Sequence, residues 1–212
     1  MKANTNPFAP TPAYPPLVAI LRGLQPEEAA EVGLALYAAG LRLIEVPLNR
    51  PGALQALSLM RQALPADAHV GAGTVLRPEQ AQGLHEAGGT LAISPHLDPD
   101  LLRHSVALGL WTMPGVATVS EAFAALRAGA HALKAFPNDA LPPEALRAWR
   151  TVLPEALIYP VGGMGLHNLA AYRRAGATGA GLGSAIYRAG DSANVVGERA
   201  RELVQAWQAA ER

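Results

Sequence analysis

The chain has 212 residues, 50% of them apolar, with 17 basic and 17 acidic side chains and no cysteine. That length and apolar content suit a globular core. Zero net charge, with no basic run longer than Arg173-Arg174, argues against nucleic acid or an acidic membrane as a partner. The lack of Cys excludes disulfides, thiolate catalysis and Cys-type zinc centres.

Residues 1–16, MKANTNPFAPTPAYPP, hold five Pro and no apolar run, so they match neither a secretory signal nor a membrane span. They predict an extended N-terminal arm on a cytoplasmic protein. From residue 17 to 212 short apolar runs alternate with longer segments of helical period. The runs predict strands at LVAIL (17–21), LRLIEV (41–46), HVGAG (69–73), TLAIS (90–94), LWTM (110–113), ALKAF (132–136), LIYPV (157–161) and GAGLG (179–183). Helix starts are marked between them by Pro26-Glu27-Glu28, Pro51, Pro78-Glu79, Asp98-Pro99, Thr118 with Glu121, and Pro142-Pro143-Glu144. Ala-Gly pairs at 39–40, 87–88, 128–129 and 175–176 mark helix ends where Gly takes the left-handed conformation. Eight such units predict an α/β chain forming one domain, a closed parallel (β/α)8 TIM barrel. No G-x-G-x-x-G opens the first helix, which disfavours a dinucleotide-binding sheet.

In such a barrel, side chains alternate between interior and helix-facing positions, and sites form at the C-terminal ends of the strands. In LRLIEV, Ile44 and Val46 suit the helix side, which turns Leu43 and Glu45 inward. In ALKAF, Leu133 and Ala135 suit the helix side, which turns Lys134 and Phe136 inward. Lys134 is one of only two lysines; the other is Lys2, and the remaining fifteen basic side chains are Arg. A buried Lys–Glu pair that merely holds the sheet is one reading, but desolvation makes such pairs poor stabilisers and Arg would serve better. Lysine offers what Arg cannot, an amine that can lose its proton and attack carbon, so Lys134 reads as a Schiff-base lysine.

The other strand ends complete a site for an anionic ketone. Arg22 could hold a carboxylate or phosphate, or be an ordinary surface Arg. Thr74 offers a hydroxyl beside glycines, or caps the helix near Pro78. Gly162-Gly163 and Gly183-Ser184, the latter expected to open a short helix, sit after the last two strands, where barrels bind phosphate through backbone N–H groups. The six His show no metal spacing; His96 follows strand four and could touch substrate, while Trp111, Trp149 and Trp207 read as packing.

AILRG, IEVPLNRP, VGAGTVL, ISP, PGVATVSEAFAALRAGAHALKAFP, VGG and GAGLGSAIYRAG resemble, in order and spacing, the class I aldolases that cleave 2-keto-3-deoxy-6-phosphosugar acids. The resemblance runs from about residue 17 to 190. It implies that Lys134 forms the Schiff base and Glu45 is the general acid/base, that Arg22 and Thr74 meet the pyruvyl end of a phosphorylated keto acid, and that Gly162, Gly163, Gly183 and Ser184 meet its phosphate. It also implies a homotrimer with no metal or other cofactor. Val161 stands where gluconate-specific members usually carry Thr, so it is expected to contact substrate and to favour the galactonate epimer. Gluconate-type or 4-hydroxy-2-oxoglutarate cleavage is the alternative within the family. A barrel phosphosugar isomerase or epimerase, with Glu45 as base, and a noncatalytic sensor are the alternatives outside it.

Overall fold

The structure, a computed structural model, describes residues 6–210; the first five residues of the expected arm lie outside the described residues. Among the described residues nine strands are present: β1 (Leu17–Ile20), β2 (Leu43–Pro47), β3 (His69–Gly73), β4 (Leu91–Ile93), β5 (Trp111–Met113), β6 (Gly115–Val116), β7 (Leu133–Ala135), β8 (Ile158–Pro160) and β9 (Ala180–Leu182). Eight helices follow them: α1 (Ala29–Ala38), α2 (Ala53–Ala63), α3 (Pro78–Glu86), α4 (Pro99–Ala107), α5 (Val119–Arg127), α6 (Pro143–Val152), α7 (Leu169–Arg174) and α8 (Ala193–Ala209). The expected fifth strand (110–113) is found as β5; beyond Pro114, which has no N–H to give to a ladder, a two-residue β6 follows that was not expected, so nine strands stand where eight were predicted.

Every pairing is parallel. Six strands run in the order β5-β4-β3-β2-β1-β9 and three in the order β6-β7-β8. Backbone hydrogen bonds continue across both seams. Lys134 N–H donates to Pro114 O at 2.9 Å and Ala132 N–H to Thr112 O at 3.2 Å, while a parallel bridge joins Val161 to Gly181. The result is a curled parallel sheet with helices on its outer face. No helix among the described residues is long and apolar enough to cross a membrane.

Local signals act as the sequence predicts. Asp98 accepts the N–H groups of Asp100 and Leu101 at the start of α4, and Thr118 and Glu121 cap α5 reciprocally. Gly40, Gly88, Gly129 and Gly176 all take positive φ just past their helices.

Alternation along the strands divides the apolar residues into two clusters. Ile44, Val46, Leu133 and Ala135 belong to the larger one, between sheet and helices. Leu43 and Ala132 join Val18, Leu91, Ile93, Met113 and Tyr159 on the inner face. Phe8, from the segment expected to be an extended arm, is fully buried in this second cluster. Its ring meets Tyr159 edge-on at 5.8 Å, and the Tyr159 hydroxyl donates to the Phe8 carbonyl at 2.5 Å. Asn6 Nδ2 also donates to His131 O at 3.0 Å. The described part of the arm therefore fills the N-terminal end of the sheet, because an exposed inner face there would leave Val18, Leu43 and Leu91 wet.

Phe8→Ala removes a fully buried ring and should lower the unfolding free energy by about 3 kcal/mol in urea titrations. An unchanged midpoint would mean that the ring contributes no packing.

Candidate active site

Glu45 is the third residue of β2 and Lys134 the second of β7, and both point to the C-terminal half of the inner face. They line one cavity of about 150 Å³. Around them stand Arg22 beyond β1, Thr74 beyond β3, Val161, Gly162 and Gly163 beyond β8, and Gly183 and Ser184 beyond β9. All nine site residues expected from sequence thus border the same space. A larger cleft of about 470 Å³, lined by Arg150, Arg173 and Arg174 beside Pro10, contains none of them.

Glu45 is 2% exposed and Lys134 6%. Lys134 Nζ lies 4.9 Å from the Phe136 ring centroid, so Phe136 faces inward as expected. Glu45 Oε2 is buried without a hydrogen-bond partner, and among the described residues no ion pair within 4 Å ties Glu45 to Lys134. Two buried, oppositely charged groups that stop short of direct contact are a poor stabilising pair and a good fit to a reactant placed between them. Burial pushes the Glu45 carboxyl above the ordinary carboxylate range, and the charges of Lys134 and Arg22 pull it part of the way back. A carboxyl so tuned holds its proton to higher pH than an exposed one, which suits it to give as well as to take a proton.

The backbone makes room for these groups. A Cβ at Gly73 would lie 2.6 Å from Glu45 Cδ, so any larger residue there would displace the carboxyl. The next residue, Thr74, has φ of 55°, the only positive φ at a non-glycine residue among those described. A β-branched residue is disfavoured there, and this strain sits at the cavity wall. Gly162 and Gly163 have φ of 115° and 60°, which turns the chain sharply over the cavity.

The structure separates the alternatives left open for several residues. Thr74 does not cap α3; Arg77 precedes that helix, and the Gln80 side chain accepts the Leu76 and Arg77 N–H groups. Ser184 does not open a helix. Ile186 and Tyr187 N–H both donate to Gly183 O in a single turn, which goes no further. His96 is exposed and does not line the cavity, although its neighbour Pro95 does. Ile20, Pro47, Pro95 and Met164 also line it without any polar signal; position at or just past a strand end is what marks them. Asn138, unremarked in the sequence, is buried behind the Gly162 turn, with its N–H on Val161 O at 3.1 Å and Nδ2 on Met164 Sδ at 3.3 Å. Among the described residues no group of three His, Asp or Glu converges as a metal site.

The raised Glu45 makes a stability prediction. Below the ordinary carboxyl range both folded and unfolded states are protonated and burial carries no charge penalty. As pH rises through the folded value, the buried group ionises and stability is lost. Glu45→Gln should therefore raise Tm at pH 8, with the gain vanishing towards pH 4. A Tm gain at pH 4 equal to that at pH 8, in calorimetry, would refute the assignment.

Residues 13–196 match the model of the KDPG and KHG aldolase family. The chain is 44% identical over 197 residues to the 2-dehydro-3-deoxy-6-phosphogalactonate aldolase of Escherichia coli K12, covering 92% of this chain and 96% of that protein. A solved structure described as native KDPGal superposes with a TM-score of 0.89 at 42% identity, over 92% of this chain and 95% of the other. KDPG aldolase from Legionella pneumophila, with pyruvate captured as a covalent carbinolamine intermediate, superposes with a TM-score of 0.81 at 29% identity, over 91% and 95% of the two chains. This chain, with its lone inward lysine facing a buried carboxyl, belongs to the KDPG and KHG aldolase family.

Proposed function

We propose that the chain is a class I aldolase that cleaves 2-dehydro-3-deoxy-6-phosphogalactonate to pyruvate and D-glyceraldehyde 3-phosphate. The observation that carries this reading is Lys134, 6% exposed on the inner face, sharing a cavity with a Glu45 carboxyl whose Oε2 has no partner. The Legionella enzyme's captured carbinolamine supports the same chemistry for the lysine here.

The Lys134 amine adds to the C2 carbonyl of the substrate. Glu45 moves a proton from nitrogen to the new alkoxide oxygen, giving a carbinolamine, then protonates its hydroxyl as it leaves as water, giving an iminium ion. Glu45, again a carboxylate, takes the C4 hydroxyl proton. The C3–C4 bond breaks, its electron pair enters the iminium to form an enamine, and glyceraldehyde 3-phosphate departs. Protonation of the enamine at C3 and addition of water to the imine release pyruvate and restore Lys134. Arg22 and the Thr74 hydroxyl hold the substrate carboxylate. Backbone N–H groups around Gly162, Gly163, Gly183 and Ser184 hold the phosphate.

Preference for the galactonate epimer is supported by 42% identity to the solved structure described as native KDPGal against 29% to the Legionella KDPG aldolase. Val161, apolar and 5% exposed at the cavity wall, agrees with it. We read the two sheets as one closed (β/α)8 barrel, supported by the hydrogen bonds at both seams, with residues 1–16 as an arm and 17–212 as the catalytic domain. By the same family likeness the protein is a cytoplasmic homotrimer that needs no cofactor.

Incubation with pyruvate and borohydride should add a reduced adduct to the peptide containing Lys134, and Lys134→Arg should abolish both the adduct and turnover while keeping the fold. An active Arg variant would sink the scheme and move an isomerase to the front. Parallel assays on the two epimers should give a higher kcat/KM for the phosphogalactonate; the reverse order would reassign the substrate.

A further inference from the structure

Two loops carry the groups assigned to the two ends of the substrate. Residues 21–28, between β1 and α1, hold Arg22; residues 183–192, between β9 and α8, hold Gly183 and Ser184. One oxygen joins them. Glu28 Oε1 accepts the Tyr187 hydroxyl of the second loop at 2.6 Å and the Gln25 backbone N–H of the first at 2.9 Å. A hydroxyl held by a carboxylate is among the stronger hydrogen bonds a protein makes.

Each loop is braced on its own side as well. Gln25 Nε2 donates to Gly23 O at 2.9 Å, next to Arg22. Tyr187 N–H donates to Gly183 O at 3.0 Å, and Arg188 Nε donates to Ser184 O at 3.3 Å. Asp191 Oδ2 accepts Arg188 N–H at 2.8 Å and Arg199 Nη1 of α8 at 2.5 Å. Movement at the Glu28 oxygen would therefore be passed to Arg22 on one side and to the Gly183-Ser184 turn on the other. Tyr187 is 2% exposed, and burial first, then the Glu28 contact, pushes its hydroxyl up, so it stays a donor. Neither Glu28 nor Tyr187 lines the cavity.

We propose that Glu28 and Tyr187 are positioning residues that fix the separation between Arg22 and the Gly183-Ser184 turn, and so favour substrates anionic at both ends. What each end binds rests on the aldolase reading above. A ligand held at two points senses their spacing, since a mis-set second point loses the advantage of being already tethered at the first. A ligand held at one point, such as pyruvate, does not.

Tyr187→Phe keeps the buried ring and deletes the hydroxyl. Glu28→Ala deletes the acceptor, and Glu28→Gln retains an acceptor oxygen. In Tyr187→Phe and Glu28→Ala, KM for the phosphorylated keto acid should rise about tenfold with kcat changed less than about twofold. The half-saturating pyruvate concentration in borohydride trapping should stay within about twofold of wild type, and Glu28→Gln should recover most of the KM. Amide exchange should quicken together in 22–28 and 183–188 of Tyr187→Phe. An unchanged KM, an equal rise in half-saturating pyruvate, faster exchange in one loop alone, or a Glu28→Gln no better than Glu28→Ala would each overturn the clamp. Failure of the wild-type protein to trap pyruvate would instead count against the aldolase reading, and the exchange measurement would still decide the clamp.

Discussion

Glu45 and Lys134 are held out of water on the inner face of one curled sheet, 2% and 6% exposed, and that burial pushes the Glu45 carboxyl above the ordinary carboxylate range. Much of the surrounding structure can be understood as what that placement requires. Gly73 is bare where a methyl group would strike the Glu45 carboxyl, and Thr74 tolerates a left-handed backbone directly after it. No protein group hydrogen-bonds Glu45 Oε2, so that oxygen faces whatever enters the cavity.

A buried carboxyl is tolerable there because the opposite end of the sheet is dry and well packed. Val18, Leu43, Leu91, Ile93, Met113, Ala132 and Tyr159 fill the inner face at the N-terminal ends of the strands, and Phe8 closes it. The sheet is thus divided along its strands into an apolar layer that holds the fold and a polar layer that does the chemistry. Stability and reactivity are separated by the length of a strand. The same division explains why the arm is folded back: five Pro residues keep it from joining the sheet as a strand, yet one aromatic ring and one carbonyl suffice to anchor it on Tyr159.

The loops complete the site from above. Those after β1 and β9 come from opposite ends of the sequence but are neighbours because β1 pairs with β9. Their joint by way of Glu28 and Tyr187 spans 159 residues of sequence, so the geometry of Arg22 relative to Gly183 depends on the sheet having formed first.

Much of this was legible in the chain itself. Period-two alternation in LRLIEV and ALKAF placed Glu45 and Lys134 inward, and the replacement of lysine by Arg almost everywhere else singled out Lys134. Helix caps at Asp98 and Thr118 and the Ala-Gly stops were likewise local, since such signals act within a few residues. Other features were not readable. The short strand after Pro114 forms only because β7 lies beside it, a fact about its neighbours. Ser184 begins a turn and no helix, His96 faces solvent, and Phe8 is core, each decided by what lies across space. The Glu28–Tyr187 contact and the missing partner of Glu45 have no signature in sequence at all. Which side chains alternate inward, and which chemistry they bring, can be read from the chain because backbone periodicity and residue type are local properties. Which of them meet, and how dry they are, emerges only on folding, because desolvation and distance belong to residues that the curling of the sheet brings together.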